Sequence, residues 1–428
     1  MTEKITYINA KEFETAVLKA ERAVVDFYST ECPPCEALSS KYDSLSELYG
    51  DDIKFIKIFR QENRELAESL GVKSSPTVLF FTNGKQAQER FTGAVKRADI
   101  VKNLNAMLAP GRAREIASKT VAVQTECDLA ILGAGPAGLT AAIYAAQAKL
   151  KTMVIDTALS GGQVAFTHQV SNFPGFAQPV AGYELMHFMT EQAKAAGAIF
   201  RFAVDVTSVS LANKTIVIDS YETITAKKVI VATGASPRPL GVRGEKEYRG
   251  HGISYCATCD AKYYQDKDVI VIGGGNSAVE ESLFISNFAR TVTIIHQFDT
   301  LQANKTAQEK AFANPKIKFV FRHEPREFLK EGNNGMKVTV EDLATREMKT
   351  LSCDGVFIFA GMQPNTAIFK EKLETDEGGY ILTDEAMHTD AADVFACGDV
   401  RSKQYRQITT AASDGTIASI RAAKEIEA

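Results

Sequence analysis

Two glycine-rich turns constrain this 428-residue chain more than any other feature, because each follows an apolar strand-like run and opens a helix-like one. Gly133-x-Gly135-x-x-Gly138 follows DLAIL and precedes LTAAIYAAQA. Gly273-Gly-Gly275-Asn276-Ser277-Ala278, with Glu280 just beyond, follows DVIVI. In such a unit the first glycine allows the tight turn and the second lets a pyrophosphate approach the helix N-terminus. The third, for which alanine is an accepted substitute, lets helix pack on strand. A lone fingerprint of this kind is a weak signal. Here the flanking strand and helix are present, and KTMVID ends in Asp156, near the spacing expected of an acid that grips a ribose hydroxyl. The chain is too long for one core and is expected to hold two or three domains, two of them α/β units of Rossmann type.

Two Cys-x-x-Cys pairs accompany these turns. Cys32-Pro-Pro-Cys35 closes a strand and opens a helix, whereas Cys256-Ala-Thr-Cys259-Asp260 lies between the two fingerprints. Seven cysteines with only two close pairs do not form a secreted disulfide framework, so the pairs read as catalytic dithiols in a reducing, cytoplasmic setting. No second ligand pair stands at zinc-finger spacing, so no metal is expected. A net charge of −4 offers no basic stripe for nucleic acid. The apolar runs are strand-length, and MTEKITYINAKEF has no apolar signal core, so neither membrane nor export is implied.

Residues 1–109 alternate strand-like AVVDFY, IKFIKIF and TVLFF with helix-like stretches near 34–49, 62–70 and 96–108. Cys32 at a helix N-terminus is favoured as thiolate, and a proline in the first turn has no N–H to waste. Asp26 is a carboxylate in an apolar strand, suited to exchange protons with Cys35 if burial raises its pKa. Residues 110–126, opening on Pro-Gly with weak periodicity, read as a linker. If flexible, it would reach about 20–25 Å on average.

VVDFYSTECPPC, SSPTVLFFTNGK and FTGAV resemble the thioredoxin family across residues 1–109. The resemblance implies that Cys32 attacks, Cys35 resolves, Asp26 is the buried acid, Lys57 pairs with it, and Pro76 is a cis-proline facing the dithiol. The chain departs from the family in having Glu31 before the first cysteine and Pro33-Pro34 between the two, and it has no Trp. A less depressed Cys32 pKa and a more reducing couple are the expected consequences.

Residues 127–428, with SYCATCD, VIVATGASPRP, VFACGDV and GDVRSKQYRQITTAASDG, resemble low-molecular-weight thioredoxin reductases. That resemblance implies an N-terminal thioredoxin fold followed by two Rossmann-like domains, for FAD and NAD(P), of a pyridine nucleotide-disulfide oxidoreductase. The expected boundaries are a first FAD segment at 127–242, an NAD(P) domain at 243–361 and a second FAD segment at 362–428. It places FAD at Gly133, Gly135, Gly138, Asp156, Gly162, Gln163, Asn172, Gly234, Gly398, Asp399, Arg406, Gln407 and Ile408. The nicotinamide dinucleotide falls to Gly273, Gly275, Asn276, Ser277, Ala278 and Glu280. It further implies a homodimer. Cys259 faces the flavin, Cys256 attacks the incoming disulfide and Asp260 is the general acid or base. Rotation of the nicotinamide domain is expected about connectors near 242–252 and 360–364.

NADPH-using members of that family carry HRRxxFR, whose arginines hold the 2′-phosphate; this chain reads His296-Gln297-Phe298-Asp299-Thr-Leu-Gln302. NADH is therefore expected over NADPH, with Asp299 a substitute for the missing ribose acid. The function expected is a thioredoxin–thioredoxin reductase fusion delivering electrons to protein disulfides. Three rival readings stand beside it. One is the flavoprotein of an alkyl hydroperoxide reductase, which feeds a peroxiredoxin but normally carries two thioredoxin-like folds. Another is the same relay fed by ferredoxin. The last is a non-catalytic redox sensor.

Overall fold

The computed structural model describes residues 4–167, 170, 172–332 and 335–428, with Thr258 and Cys259 described by backbone alone. The N-terminal unit is a five-stranded sheet of order β1-β3-β2-β4-β5. Its strands are β1 (Ile5–Ile8), β2 (Arg22–Tyr28), β3 (Lys54–Phe59), β4 (Thr77–Thr82) and β5 (Lys85–Thr92). Helices α1 (Pro33–Tyr49), α2 (Arg64–Ser69) and α3 (Arg97–Ala106) cover it. β2 runs through the centre with Ala23, Val24, Val25 and Phe27 wholly buried, as an unbroken apolar run in a two-sided sheet requires.

Pro110–Lys119, read from sequence as part of a linker, is instead a helix, α4. Pro110 sits in its first turn, where a missing N–H costs nothing. Ile116 is buried in the core of the N-terminal unit, and the Arg112 guanidinium grips Asp52 at 2.8 Å. Only Thr120–Ala122 then separate this unit from the strand that begins at Val123.

The second unit is built on β6 (Val123–Leu132), α5 (Pro136–Gln147), β7 (Thr152–Ile155), α6 (Gly182–Ala196) and β8 (Ile199–Arg201). It continues with β9 (Val206–Ser210), β10 (Thr215–Ile218) and β11 (Glu222–Val231). Its sheet has the order β8-β7-β6-β11-β10-β9. The chain leaves it through β12 (Ala235–Pro237), α7 (Glu245–Tyr248), β13 (Ile253–Ser254) and α8 (Ala257–Asp260).

The third unit follows with β14 (Asp268–Ile272), α9 (Asn276–Ile285), β15 (Thr291–His296), α10 (Lys305–Ala313) and β16 (Ile317–Phe321). An antiparallel three-stranded sheet of β17 (His323–Glu331), β18 (Gly335–Asp342) and β19 (Met348–Cys353) packs beside it. β20 (Gly355–Ile358) completes a parallel sheet of order β13-β20-β14-β15-β16. The chain returns through β21 (Met362–Pro364) to β22 (Val394–Ala396), which pairs with β11, and ends on α11 (Ile408–Glu427).

The two crossings between these units are antiparallel to each other, Ser236 opposite Gln363. The first crossing therefore lies upstream of the expected 242–252 stretch. That stretch folds into the third unit, where α7 packs on β17. Buried Glu245 explains the anchoring: its carboxylate accepts from the N–H groups of Leu240 and Gly241 and from the Tyr255 hydroxyl. Among the described residues no helix is long and apolar enough to cross a membrane.

Candidate active site

At the first dithiol, Cys32 is the N-cap of α1, and its sulfur accepts from Cys35 N. The two cysteines form a disulfide, and the Ser75–Pro76 bond beside them is cis. Asp26 is buried, with Oδ1 lacking a hydrogen bond among the described residues. Burial lifts its pKa to about 7, and the charge of Lys57 offsets part of that rise. Lys57 stands opposite Asp26 in register. Its ammonium reaches past the carboxylate to Ser39 Oγ at 3.1 Å and Asp43 at 3.6 Å, polar groups that α1 supplies.

The first fingerprint assembles as its glycines require. A Cβ on Gly138 would lie 1.9 Å from Gly133 O, while one on Gly135 would meet nothing within 4 Å. That open position in front of α5 is where a pyrophosphate is admitted. Gly162 lies against Gly135, and Gly398 packs on Ala137 in the first turn of α5, bringing Asp399 to the same place. Gly234 is tied to the returning chain through Asn365 N. The Asn172 amide meets the Gln407 side chain at 3.4 Å across 235 residues of sequence, and Gln407 caps Ile408 at the head of α11.

Two buried atoms here have no hydrogen bond among the described residues, Asp399 Oδ1 and Arg406 Nε. Lys403 approaches that oxygen to 3.3 Å, and the Arg406 guanidinium stacks 3.9 Å over the Tyr380 ring. Open glycines and orphaned polar atoms are what a dinucleotide with ribityl and phosphate groups would satisfy, so the residues fit FAD. Asp156 is arranged differently from a free ribose ligand. Its oxygens accept from Ala134 N and Ala158 N, at 2.7 and 2.8 Å, so it also braces the turn. Sequence reasoning passed over Asp414, buried on α11, which accepts from Gly398 N at 3.1 Å and pairs with Lys403 and Arg401. Its signal was a carboxylate in an alanine-rich helix.

Cys256 of the second dithiol and the second fingerprint open onto one cleft of about 1250 Å³. Gly273–Ala278, Cys256 and Asp260 line it, together with Gln163 and Phe166 of the second unit. Cys256 Sγ, a disulfide sulfur, lies 3.3 Å from Phe166 O. The side chain of Cys259 lies outside the described residues. Asn276 and Glu280 are both engaged by Asn304, the cap of α10, so both hold the loop, and Asn276 also lines the cleft. His296, Gln297 and Gln302 line the cleft. Asp299 instead pairs with Arg322 at 3.4 Å. Cys127, Cys353 and Cys397 are buried and unpaired, and burial raises all three thiols.

Residues 127–415 match the family model described as pyridine nucleotide-disulphide oxidoreductase, and residues 4–106 match the model for thioredoxin. The chain belongs to the pyridine nucleotide-disulphide oxidoreductase family and carries a thioredoxin domain in front of that body. More particularly, it is similar to a thioredoxin reductase of Peptoclostridium acidaminophilum, 44% identical over 310 residues, covering 70% of this chain and 97% of the relative. It is 41% identical over 306 residues to a thioredoxin reductase of Treponema pallidum, covering 71% and 99%. Among solved structures it is similar to thioredoxin reductase of Lactococcus lactis in the FR conformation, with TM-score 0.66 and 37% identity over 70% of this chain and 99% of that one. The thioredoxin reductase of T. acidophilum gives TM-score 0.64 and 33% identity over 71% and 99%.

Proposed function

We propose that the chain is a thioredoxin-disulfide reductase carrying its own thioredoxin. Electrons pass from a nicotinamide dinucleotide, NADH in preference to NADPH, by way of FAD to Cys256–Cys259, then to Cys32–Cys35 and on to protein disulfides. The shared cleft carries this reading, because one continuous space serves the second fingerprint, Cys256 and the wall of the first fingerprint domain. Bound FAD supplies the exchange between hydride and dithiol electron pairs.

The chain's own residues do the thiol chemistry. A Cys256 thiolate attacks Cys32, the Cys32–Cys35 bond breaks, and Cys35 leaves as a thiolate that takes a proton. Cys259 then attacks Cys256 in the mixed disulfide and releases Cys32. Two electrons and two protons have moved, and the Cys256–Cys259 disulfide is restored. Asp260 beside one pair and Asp26 near the other are the proton carriers. Gly133, Gly135, Gly138, Gly162, Asn172, Asp399 and Arg406 hold FAD; Gly273, Gly275 and Ser277 hold the donor. The preference for NADH rests on Gln297 and Gln302, uncharged where a 2′-phosphate would need cations. We assign the protein to the cytoplasm on its cysteine usage, and to a homodimer on the resemblance.

The test is an anaerobic titration of the flavoprotein with NADH and NADPH in parallel, followed by maleimide labelling of Cys32. Fast flavin bleaching by NADH and labelling of Cys32 are expected. Equal bleaching by NADPH would overturn the donor assignment, and bleaching by neither would move the entry point to another reductant.

A further inference from the structure

The thioredoxin domain does not float beside the reductase body. Lys41, on α1 of the thioredoxin domain, is 6% exposed and donates to Val95 O of its own domain at 3.0 Å and to Ala203 O of the flavin-binding unit at 2.6 Å. Around it Glu36 pairs with Lys194 at 2.8 Å, and Lys96 pairs with Asp205. The Arg97 guanidinium lies 4.1 Å over the Tyr221 ring. A lysine buried this deeply is tolerated only when its ammonium is hydrogen-bonded, and one of its two acceptors belongs to the other domain. Burial lowers its pKa to about 8, and the charges of Asp219 and Asp205 offset part of that fall.

This contact keeps the two dithiols apart. Glu36 adjoins Cys35, and its partner Lys194 is in the last turn of α6. The other end of α6 packs on Val164 and Thr167, beside Phe166, whose carbonyl oxygen lies 3.3 Å from Cys256 Sγ. About twelve residues of α-helix, roughly 18 Å, lie between the two ends. Contact between Cys256 and Cys32 therefore requires the domain to move.

The pivot is next to the contact. α4 is fixed to the thioredoxin core, and Val123 N donates to Tyr221 O at 2.8 Å, so only Thr120–Ala122 are left to bend. We infer that the Lys41-centred contact is a resting dock on the flavin-binding unit. It holds Cys32–Cys35 away from Cys256, and each turnover requires its release about Thr120–Ala122. The gating part of this inference rests on the relay proposed above.

The test uses the full-length chain with Lys41→Met on one face of the dock and Tyr221→Ala on the other. Two readouts are taken: trypsin cleavage after Lys119, and the rate of Cys32 labelling after anaerobic mixing with NADH. Both variants are expected to be cut at least threefold faster and to label Cys32 severalfold faster. Labelling that stays unchanged or slows while cleavage accelerates overturns the gate, because the dock would then be productive or irrelevant. Unchanged cleavage in both variants overturns the dock itself, independently of any electron transfer. Cys32 left unlabelled in every protein, with cleavage accelerated, overturns the relay and the gate together.

Discussion

Asp26 lies in the middle of β2 with one oxygen unpaired among the described residues and a pKa of about 7 against an ordinary 3.8. Burial is the cause, since removing a carboxylate from water disfavours its charge. Because the folded pKa is raised, this group lowers stability as pH climbs from about 4 to 7 and leaves the cost in place above that. Each tenfold change in ionisation is worth about 1.4 kcal/mol, so the full cost is on the order of 4 kcal/mol. Asp26→Asn is expected to raise the melting temperature of the thioredoxin domain at pH 8 by several degrees and to change it little at pH 4. It should also slow disulfide transfer and remove an inflection near pH 7 from its rate profile, as stopped-flow mixing across pH would show. The acid's burial was legible because AVVDFY is apolar on both faces. The neighbours of Lys57 were not, because Ser39 and Asp43 come from a helix whose placement local sequence does not encode.

At the level of elements, the fingerprints were legible because each glycine answers a local steric demand. Their glycines differ in what they would obstruct, which separates folding from binding. Gly138→Val would drive its Cβ into Gly133 O and is expected to misfold the second unit. An added Cβ at Gly135 meets nothing within 4 Å, so the Gly135→Val protein is expected to fold with normal circular dichroism and to purify without flavin colour. A yellow Gly135→Val protein would contradict the site.

The donor loop allows a complementary gain. Gln297→Arg with Phe298→Arg restores two cations after β15 and is expected to lower KM for NADPH at least tenfold with little change for NADH. Steady-state kinetics with the two donors measure this directly. α4 escaped sequence reasoning for a physical reason. Its Pro-Gly start also reads as a turn, and it buries only Ile116, so no apolar stripe betrays it.

Across the whole molecule, the dock was invisible in sequence because its charged members resemble ordinary solvated side chains until two domains bring them together. What limits traffic between the domains is the tether. Thr120–Ala122 span at most about 10 Å, less than the roughly 18 Å of α6 between Lys194 and Gly182, so the domain must pivot rather than translate. Inserting ten Gly/Ser residues after Thr120 adds an average reach of about 17 Å. Such an insertion is expected to speed reduction of Cys32–Cys35 by the attached body two- to fivefold. Longer insertions should then slow it, because effective concentration falls roughly as the −3/2 power of linker length once the sites are spanned. The measurement is single-turnover Cys32 labelling across insertions of ten, thirty and sixty residues. A rise followed by a fall identifies the short tether as a restraint on encounter. A decline from the first insertion onward would mean that the native three residues already hold the domain where transfer occurs.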